Sequence, residues 1–217
     1  MRLGILGTGT VGQTLGTKLV SLGNEVKLGS RSASNDKVAG WVKTTGRGAS
    51  HGTFADAASF GEMLFNCTSG MASLDALRQA GAKNLDGKVL VDVANPLDFS
   101  KGMPPTLAVC NTDSLGEQIQ RAFPEARVVK SLNTMSARVM VDPKKVPGDH
   151  AIFVCGNDAT AKSQVTELLR EFGWKTVLDL GDISGARGAE MVLPLWVRLM
   201  GTLKSPNFNF IISRGDM

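Results

Sequence analysis

Gly7, Gly9 and Gly12 belong to one run, Gly7-Thr8-Gly9-Thr10-Val11-Gly12. It follows the apolar stretch Arg2-Leu3-Gly4-Ile5-Leu6 and precedes an amphipathic one through Thr14, Leu15, Lys18, Leu19 and Leu22. A strand, a GxGxxG turn and a helix in that order form a dinucleotide-binding turn. The chemistry is anion binding by backbone. Gly7 allows the tight turn, Gly9 lets the chain approach a pyrophosphate, and Gly12 lets the helix pack on the strand. The phosphates are expected on unpaired N–H groups at the positive end of the helix, along Thr8 to Val11.

The second apolar strand, Glu25-Val26-Lys27-Leu28, ends in Gly29-Ser30-Arg31. About 20 residues past the first glycine, an NAD-binding turn carries an acid that accepts from the free ribose 2′-hydroxyl. Here a hydroxyl and a guanidinium stand instead. Arg31 can meet a 2′-phosphate with paired N–H donors and Ser30 can add one more, so the expected cofactor is NADP. Between Ser30 and Gly48 the charges are Arg31, Lys37, Lys43 and Arg47 against Asp36 alone. Lys37 joins the phosphate side of the expected site; Lys43 and Arg47 read first as solvated surface charges.

These residues need strands to hold them. Apolar runs at Glu62–Cys67 and Lys88–Val93 follow the first two, with a weaker run at Ala49–Phe54 interrupted by Gly52. Helical patterns at Asp36–Val42, Ala55–Phe60 and Ala72–Ala80 alternate with them, which predicts an α/β, Rossmann-type doubly wound, mainly parallel sheet. Ligands of such sheets lie at the carboxyl ends of strands. That selects Cys67-Thr68-Ser69 and Ala94-Asn95-Pro96 for the ribose and nicotinamide, although turn chemistry alone also favours Thr, Ser, Asn and Pro there.

Further on, a helix is expected at Ser114–Ala122, a strand at Arg127–Leu132, a polar loop at Asp142–Asp149 and a strand at Ala151–Cys155. A helix at Ala159–Phe172 and a strand at Lys175–Leu180 follow. The last helix, about Ala186–Leu203, has little polar face and is expected to be buried on several sides, bent at Pro194. Residues 1–132 form the expected NADP-binding domain. Residues 133–217 are expected to form a small C-terminal extension, of additional strands and the apolar final helix, that supplies the substrate side and a homodimer contact.

The chain has 217 residues, a formal net charge of +4, and three cysteines, Cys67, Cys110 and Cys155, without CxxC spacing. Two histidines, His51 and His150, are too few to build a zinc site with them, and both read as structural. There is no basic run and only 6% aromatic residues, which speaks against nucleic acid. Without an apolar leader or a membrane-length apolar run, a cytoplasmic protein off the membrane is expected. No metal is expected. Tyrosine is absent, so a Tyr–Lys reductase couple cannot operate.

The ordered set of motifs resembles the deazaflavin-dependent NADP reductases, and more distantly the cytosolic domain of the STEAP metalloreductases. The matching pieces are the glycine turn, Gly29-Ser30-Arg31, Asn95-Pro96-Leu97, Val128-Val129-Lys130-Ser131-Leu132-Asn133-Thr134, Val154-Cys155-Gly156-Asn157-Asp158 and Asp179-Leu180-Gly181-Asp182. The resemblance implies hydride transfer between NADPH and a flavin-like or deazaflavin ring. It puts Cys67, Thr68, Asn95, Met135 and Ala137 beside the nicotinamide. Asn133, Thr134, Arg187, Leu193 and Trp196 are assigned to the acceptor side. Arg187, Arg198 and Lys204 either hold an anionic acceptor side chain or solvate the final helix. The chain departs from the family pattern, which has His where Asn133 stands and Pro where Ser136 stands, so the acceptor side diverges more than the NADP side.

Hydride transfer to such a ring needs stacked geometry and no dedicated acid or base, and no catalytic side chain is assigned. Two rivals remain at this stage. One is an imine reductase of the pyrroline-carboxylate type; the other is a non-catalytic NADPH-sensing module.

Overall fold

The computed structural model describes residues 1–215. Asp216 and Met217, the last two residues of the expected extension, lie outside them. Eight strands form the main sheet: β1 (Arg2–Leu6), β2 (Glu25–Ser30), β3 (Ala49–Thr53), β4 (Met63–Asn66), β5 (Val89–Asp92), β8 (Arg127–Ser131), β9 (Ala151–Cys155) and β10 (Thr176–Asp179). Their order is β10-β9-β8-β5-β4-β1-β2-β3. Pairing is parallel throughout except between β8 and β9, where Lys130 opposes Cys155 and Ser131 opposes Val154. The strand order therefore reverses between β1 and β4, which is where a doubly wound sheet opens a crevice.

Helices cover both faces. On one side lie α1 (Thr10–Ser21), α2 (Asp36–Thr45) and, farther along, α8 (Ala159–Phe172). Their Leu15, Leu19, Trp41, Val165 and Leu169 pack on Leu3, Ile5, Phe65 and Val91. On the other side lie α3 (Phe54–Phe60), α4 (Gly70–Ala80), the short α5 (Ala82–Leu85) and α6 (Leu115–Ala122). Ala57, Leu77 and Ile119 there meet Leu6, Leu64 and Leu90. Strand side chains alternate between the two layers, so both faces are apolar and the central strands are fully buried.

Several elements differ from the sequence expectation. Gly52 does not interrupt β3: it pairs in register with Gly29, and a Cβ at Gly52 would lie 2.8 Å from Asp56 Cβ. The glycine is there because the first turn of α3 crowds the strand. The strands β6 (Leu97–Asp98) and β7 (Thr106–Leu107) form a small antiparallel hairpin that periodicity does not reveal. A five-residue helix, α7 (Ala137–Val141), follows β8.

The final helix is two pieces, α9 (Ala186–Met191) and α10 (Leu193–Leu203), with Pro194 in the first turn of the second, where its missing N–H is tolerated. Nor is it buried on several sides. In α10 only Leu193 and Val197 are buried, while its Leu195 and Leu203, and Met191 at the end of α9, are exposed. No helix among the described residues is long and apolar enough to cross a membrane.

Candidate active site

The glycine turn leaves β1 and enters α1 as the sequence requires. Gly7 has φ of +122°, and a Cβ there would lie 2.5 Å from the Cys67 carbonyl oxygen. A Cβ on Gly12 would lie 2.2 Å from Gly7 O, so helix and turn touch through glycine. Gly9 differs: it is extended, exposed, and has open space where its Cβ would stand. No side chain caps α1, and its first turn carries no acid. Unpaired helical N–H groups behind an open glycine form a cradle that accepts an anion. The Gln13 amide donates to Thr8 O at 2.9 Å and steadies the loop.

A cavity of about 640 Å³ lies in front of this turn, lined by Gly7, Thr8, Gly9, Ser30, Arg31 and Ser32 on one side. Cys67, Thr68 and Ser69 line the other, joined by Asn35, Phe54 and the α4 residues Ala72, Ala76 and Gln79. Arg31 is exposed, and among the described residues its guanidinium has no ion-pair partner. The Ser30 hydroxyl donates to Ser32 O and so holds the turn; as it stands, its proton is not free for a phosphate.

A second cavity of about 430 Å³ shares Cys67, Thr68 and Ser69 with the first. Val11, Ala94, Asn95, Asn133, Met135, Ala137, Leu193 and Trp196 complete most of its wall, with Phe99, Ser136 and Met140 as further members. The two cavities meet at the carboxyl end of β4, beside the switch point.

Thus most of the residues singled out in the sequence gather around two joined spaces. Eight do not line either one, among them Arg198 and Lys204, both exposed. Thr10 and Gly12 lie in α1 behind the turn, and Lys37 is exposed on α2. Pro96 and Thr134 are buried. Arg187 is drawn away by Glu117, whose carboxylate takes both its Nε, at 2.8 Å, and its Nη2. That guanidinium holds the Glu117 carboxyl below the usual range.

Behind the cavities lies a polar network that sequence reading missed. Asn66 Oδ1 accepts from Thr68 N and Oγ1, while Asn66 Nδ2 donates to Asp92 Oδ1 at 2.8 Å and Ser73 Oγ at 3.0 Å. Lys130 Nζ donates to Asp92 Oδ2, Ala94 O and Glu190 Oε1, which uses all three ammonium protons. Glu190 also accepts from Leu115 N and Gly116 N at the start of α6. Burial works to lower the Lys130 pKa, but Asp92 and Glu190 overcome it and the net shift is upward. Burial pushes the Glu190 carboxyl up against the pull of Lys130.

Asn95 and Asn133 clasp each other, Asn133 Nδ2 donating to Asn95 Oδ1 at 2.9 Å and to Ala189 O, and Asn95 Nδ2 donating to Asn133 O. Two thiols, each beside this network, are held protonated. Burial, with Asp92 nearby, pushes Cys67 up, and burial pushes Cys155 up to about 12. His150 is buried against Pro143 O and Val146 O, a structural place as expected. No group of three or more His, Cys, Asp or Glu side chains among the described residues could hold a metal ion.

The class that fold and site define is a Rossmann-like α/β protein whose glycine turn opens onto a crevice at the strand-order switch. Residues 2–96 match the family model described as NADP oxidoreductase, coenzyme F420-dependent. A solved protein from Arthrobacter sp. FB24, provisionally assigned as an F420-dependent NADP-reductase, is 54% identical over 99% of this chain and 100% of its own, with a TM-score of 0.94. The F420-dependent NADP reductase of Methanocaldococcus jannaschii is 30% identical over 69% of this chain and 67% of its own. This chain therefore belongs to that family of NADP-dependent oxidoreductases.

Metalloreductase STEAP3 of Rattus norvegicus is 32% identical over 90% of this chain, which spans only 38% of that protein's length. A reductive aminase from Aspergillus terreus solved with NADPH and ethyl levulinate shares the fold, with a TM-score of 0.66 at 18% identity over 94% of this chain and 62% of its own.

Proposed function

We propose that the protein transfers a hydride between NADPH and a flavin-like or deazaflavin ring. The observation that carries this reading is the meeting of two cavities at Cys67–Ser69. One has the glycine cradle and the Arg31 guanidinium suited to a phosphorylated dinucleotide. The other is largely apolar and suited to a flat ring. The open space at Gly9 fits a pyrophosphate against the start of α1. Arg31 meets the 2′-phosphate, and Ala94, Asn95, Met135 and Ala137 border the nicotinamide.

NADPH bound there supplies the hydride. The chain's own part is to hold the rings face to face and exclude water from between them, while the proton balance is met by solvent. The Asn95–Asn133 clasp keeps the two strand ends that border the ring at a fixed separation.

Steady-state NADPH oxidation tests the reading, with FMN, a 5-deazaflavin, and a cyclic imine supplied separately. Turnover with a ring acceptor and not with the imine is the expected result. Turnover with the imine alone would move the assignment to an imine reductase, and tight NADPH binding with no turnover would make the protein a sensor. The homodimer expected from the last helix rests on its exposed Met191, Leu195 and Leu203; sedimentation equilibrium returning a monomer mass removes it.

A further inference from the structure

Three side-chain polar atoms among the described residues are shielded from water and lack a hydrogen-bond partner: Ser136 Oγ, Trp196 Nε1 and Asn209 Oδ1. Ser136 and Trp196 both belong to the wall of the second cavity. Buried polar groups are nearly always paired, so two orphans on one wall have a cause to be found.

Ser136 immediately precedes α7, the position from which a serine hydroxyl ordinarily caps a helix, yet it accepts no backbone N–H there. The amides of Val139 and Met140 donate to its carbonyl oxygen instead, at 2.9 and 3.0 Å. The hydroxyl is thus left out of the local backbone bonding that would otherwise explain it.

Trp196 is fixed by a segment far along the chain. Its indole stacks on Phe208 with ring centroids 5.3 Å apart and planes 23° apart, and Phe208 meets Phe210 edge-on at 6.4 Å. That segment is tied to the sheet: Ala151 N donates to Phe210 O at 3.0 Å, and Asn209 Nδ2 donates to Ala151 O at 2.9 Å. Residues 208–210 form a strap that sets the plane of the indole.

We propose that Ser136 Oγ and Trp196 Nε1 are the hydrogen-bonding edge of the acceptor subsite. They donate to a carbonyl oxygen or ring nitrogen on the rim of a flat conjugated acceptor, and the Phe208–Phe210 strap positions the indole. The proposal rests on the reading of the protein as an NADPH-to-ring reductase. A serine hydroxyl reaches a ligand atom by rotating between staggered χ1 wells. The indole N–H is shielded as the structure stands, so it meets the ring only as the stacked indole and strap shift together. A ring with no acceptor on its rim leaves both donors unpaired, and a site built this way rejects it.

The test measures binding of FMN and of a 5-deazaflavin to protein saturated with NADP⁺, beside NADPH binding, in Ser136→Ala, Trp196→Phe and Phe208→Ala. The first two delete a donor and keep much of the shape. Each is expected to weaken ring binding about fivefold, the worth of one neutral hydrogen bond, with NADPH binding unchanged. Phe208→Ala is expected to weaken ring binding with NADPH binding again unchanged. Ring binding unaltered in both Ser136→Ala and Trp196→Phe overturns the proposal, as does a native protein that binds NADPH but neither ring. Failure of the native protein to bind NADPH removes the underlying reading, and the subsite with it.

Discussion

Lys130 Nζ lies 2.8 Å from Asp92 Oδ2, and neither side chain has any exposed surface. Glu190 Oε1 is 2.9 Å from the same ammonium, so one cation joins β8, the end of β5 and α9. Its third proton goes to Ala94 O, which belongs to the wall of the second cavity. Removing the cation leaves two carboxylates buried together without a counter-charge, although each keeps a hydrogen bond from a neutral donor. Breaking a buried pair from one side costs about 3–5 kcal/mol. Lys130→Met is therefore expected to lower the melting temperature by on the order of 10 °C. Calorimetry on the variant decides it; a melt within about 2 °C of the native protein would mean that the network contributes little to the fold.

The part of the site made by consecutive residues was legible in the sequence. Gly7 to Gly12 and Ser30-Arg31 sit where strand ends put them, because a βα turn is a local structure with a local pattern. Ala72, Ala76 and Gln79 on α4 recur at helical spacing and could have been read as one face looking onto the first cavity. Lys130 could not. In a strand it reads as a polar alternate position, and its partner Asp92 is 38 residues away. Phe99 was missed because it follows a two-residue strand, too short to carry any period. The last helix misled for another reason: apolar composition all round signals burial, but it does not say what does the burying.

Arg31→Ala is expected to raise the NADPH dissociation constant about tenfold or more, as loss of a charge-assisted contact of about 1.5–3 kcal/mol requires, and to leave NADH nearly unaffected. The residue is exposed at the rim of the first cavity, so its removal should not disturb the fold. Isothermal titration with both nucleotides gives the comparison. Equal losses for the two would show that Arg31 does not read the 2′-phosphate.

Gly9→Val separates binding from folding. The backbone at Gly9 has φ of −76°, which a valine adopts, and nothing lies within 4 Å of where its Cβ would stand. The variant is expected to melt within a few degrees of the native protein, about 1 kcal/mol or less being lost at a helix start. Binding of both NADPH and NADH should fall by about a hundredfold or more, because the added side chain fills the pyrophosphate cradle. A Cβ on Gly12, 2.2 Å from Gly7 O, would have no such room, so Gly12→Val should damage the fold as well. Native-like nucleotide affinity in Gly9→Val would place the phosphates elsewhere.

Asp113 gives the acid side of the stability curve a defined origin. Arg121 donates to it twice, at 3.0 and 2.8 Å, and holds its carboxyl at about 2 against an ordinary 3.8. A carboxyl depressed in the folded state binds its proton more weakly there than in the unfolded chain. Its contribution is therefore present above pH 3.8 and is lost as pH falls toward about 2. The Arg121 side chain is 60% exposed, so solvent screening limits this contribution to about 1 kcal/mol or less. Glu117, depressed by Arg187, acts with the same sign, while Glu190, raised by burial, acts with the opposite one. Asp113→Asn is accordingly expected to flatten the fall in stability between pH 3.8 and about 2 without abolishing it. Urea unfolding across that range measures the slope, and identical slopes in variant and native protein would show that the Asp113–Arg121 pair does not govern it.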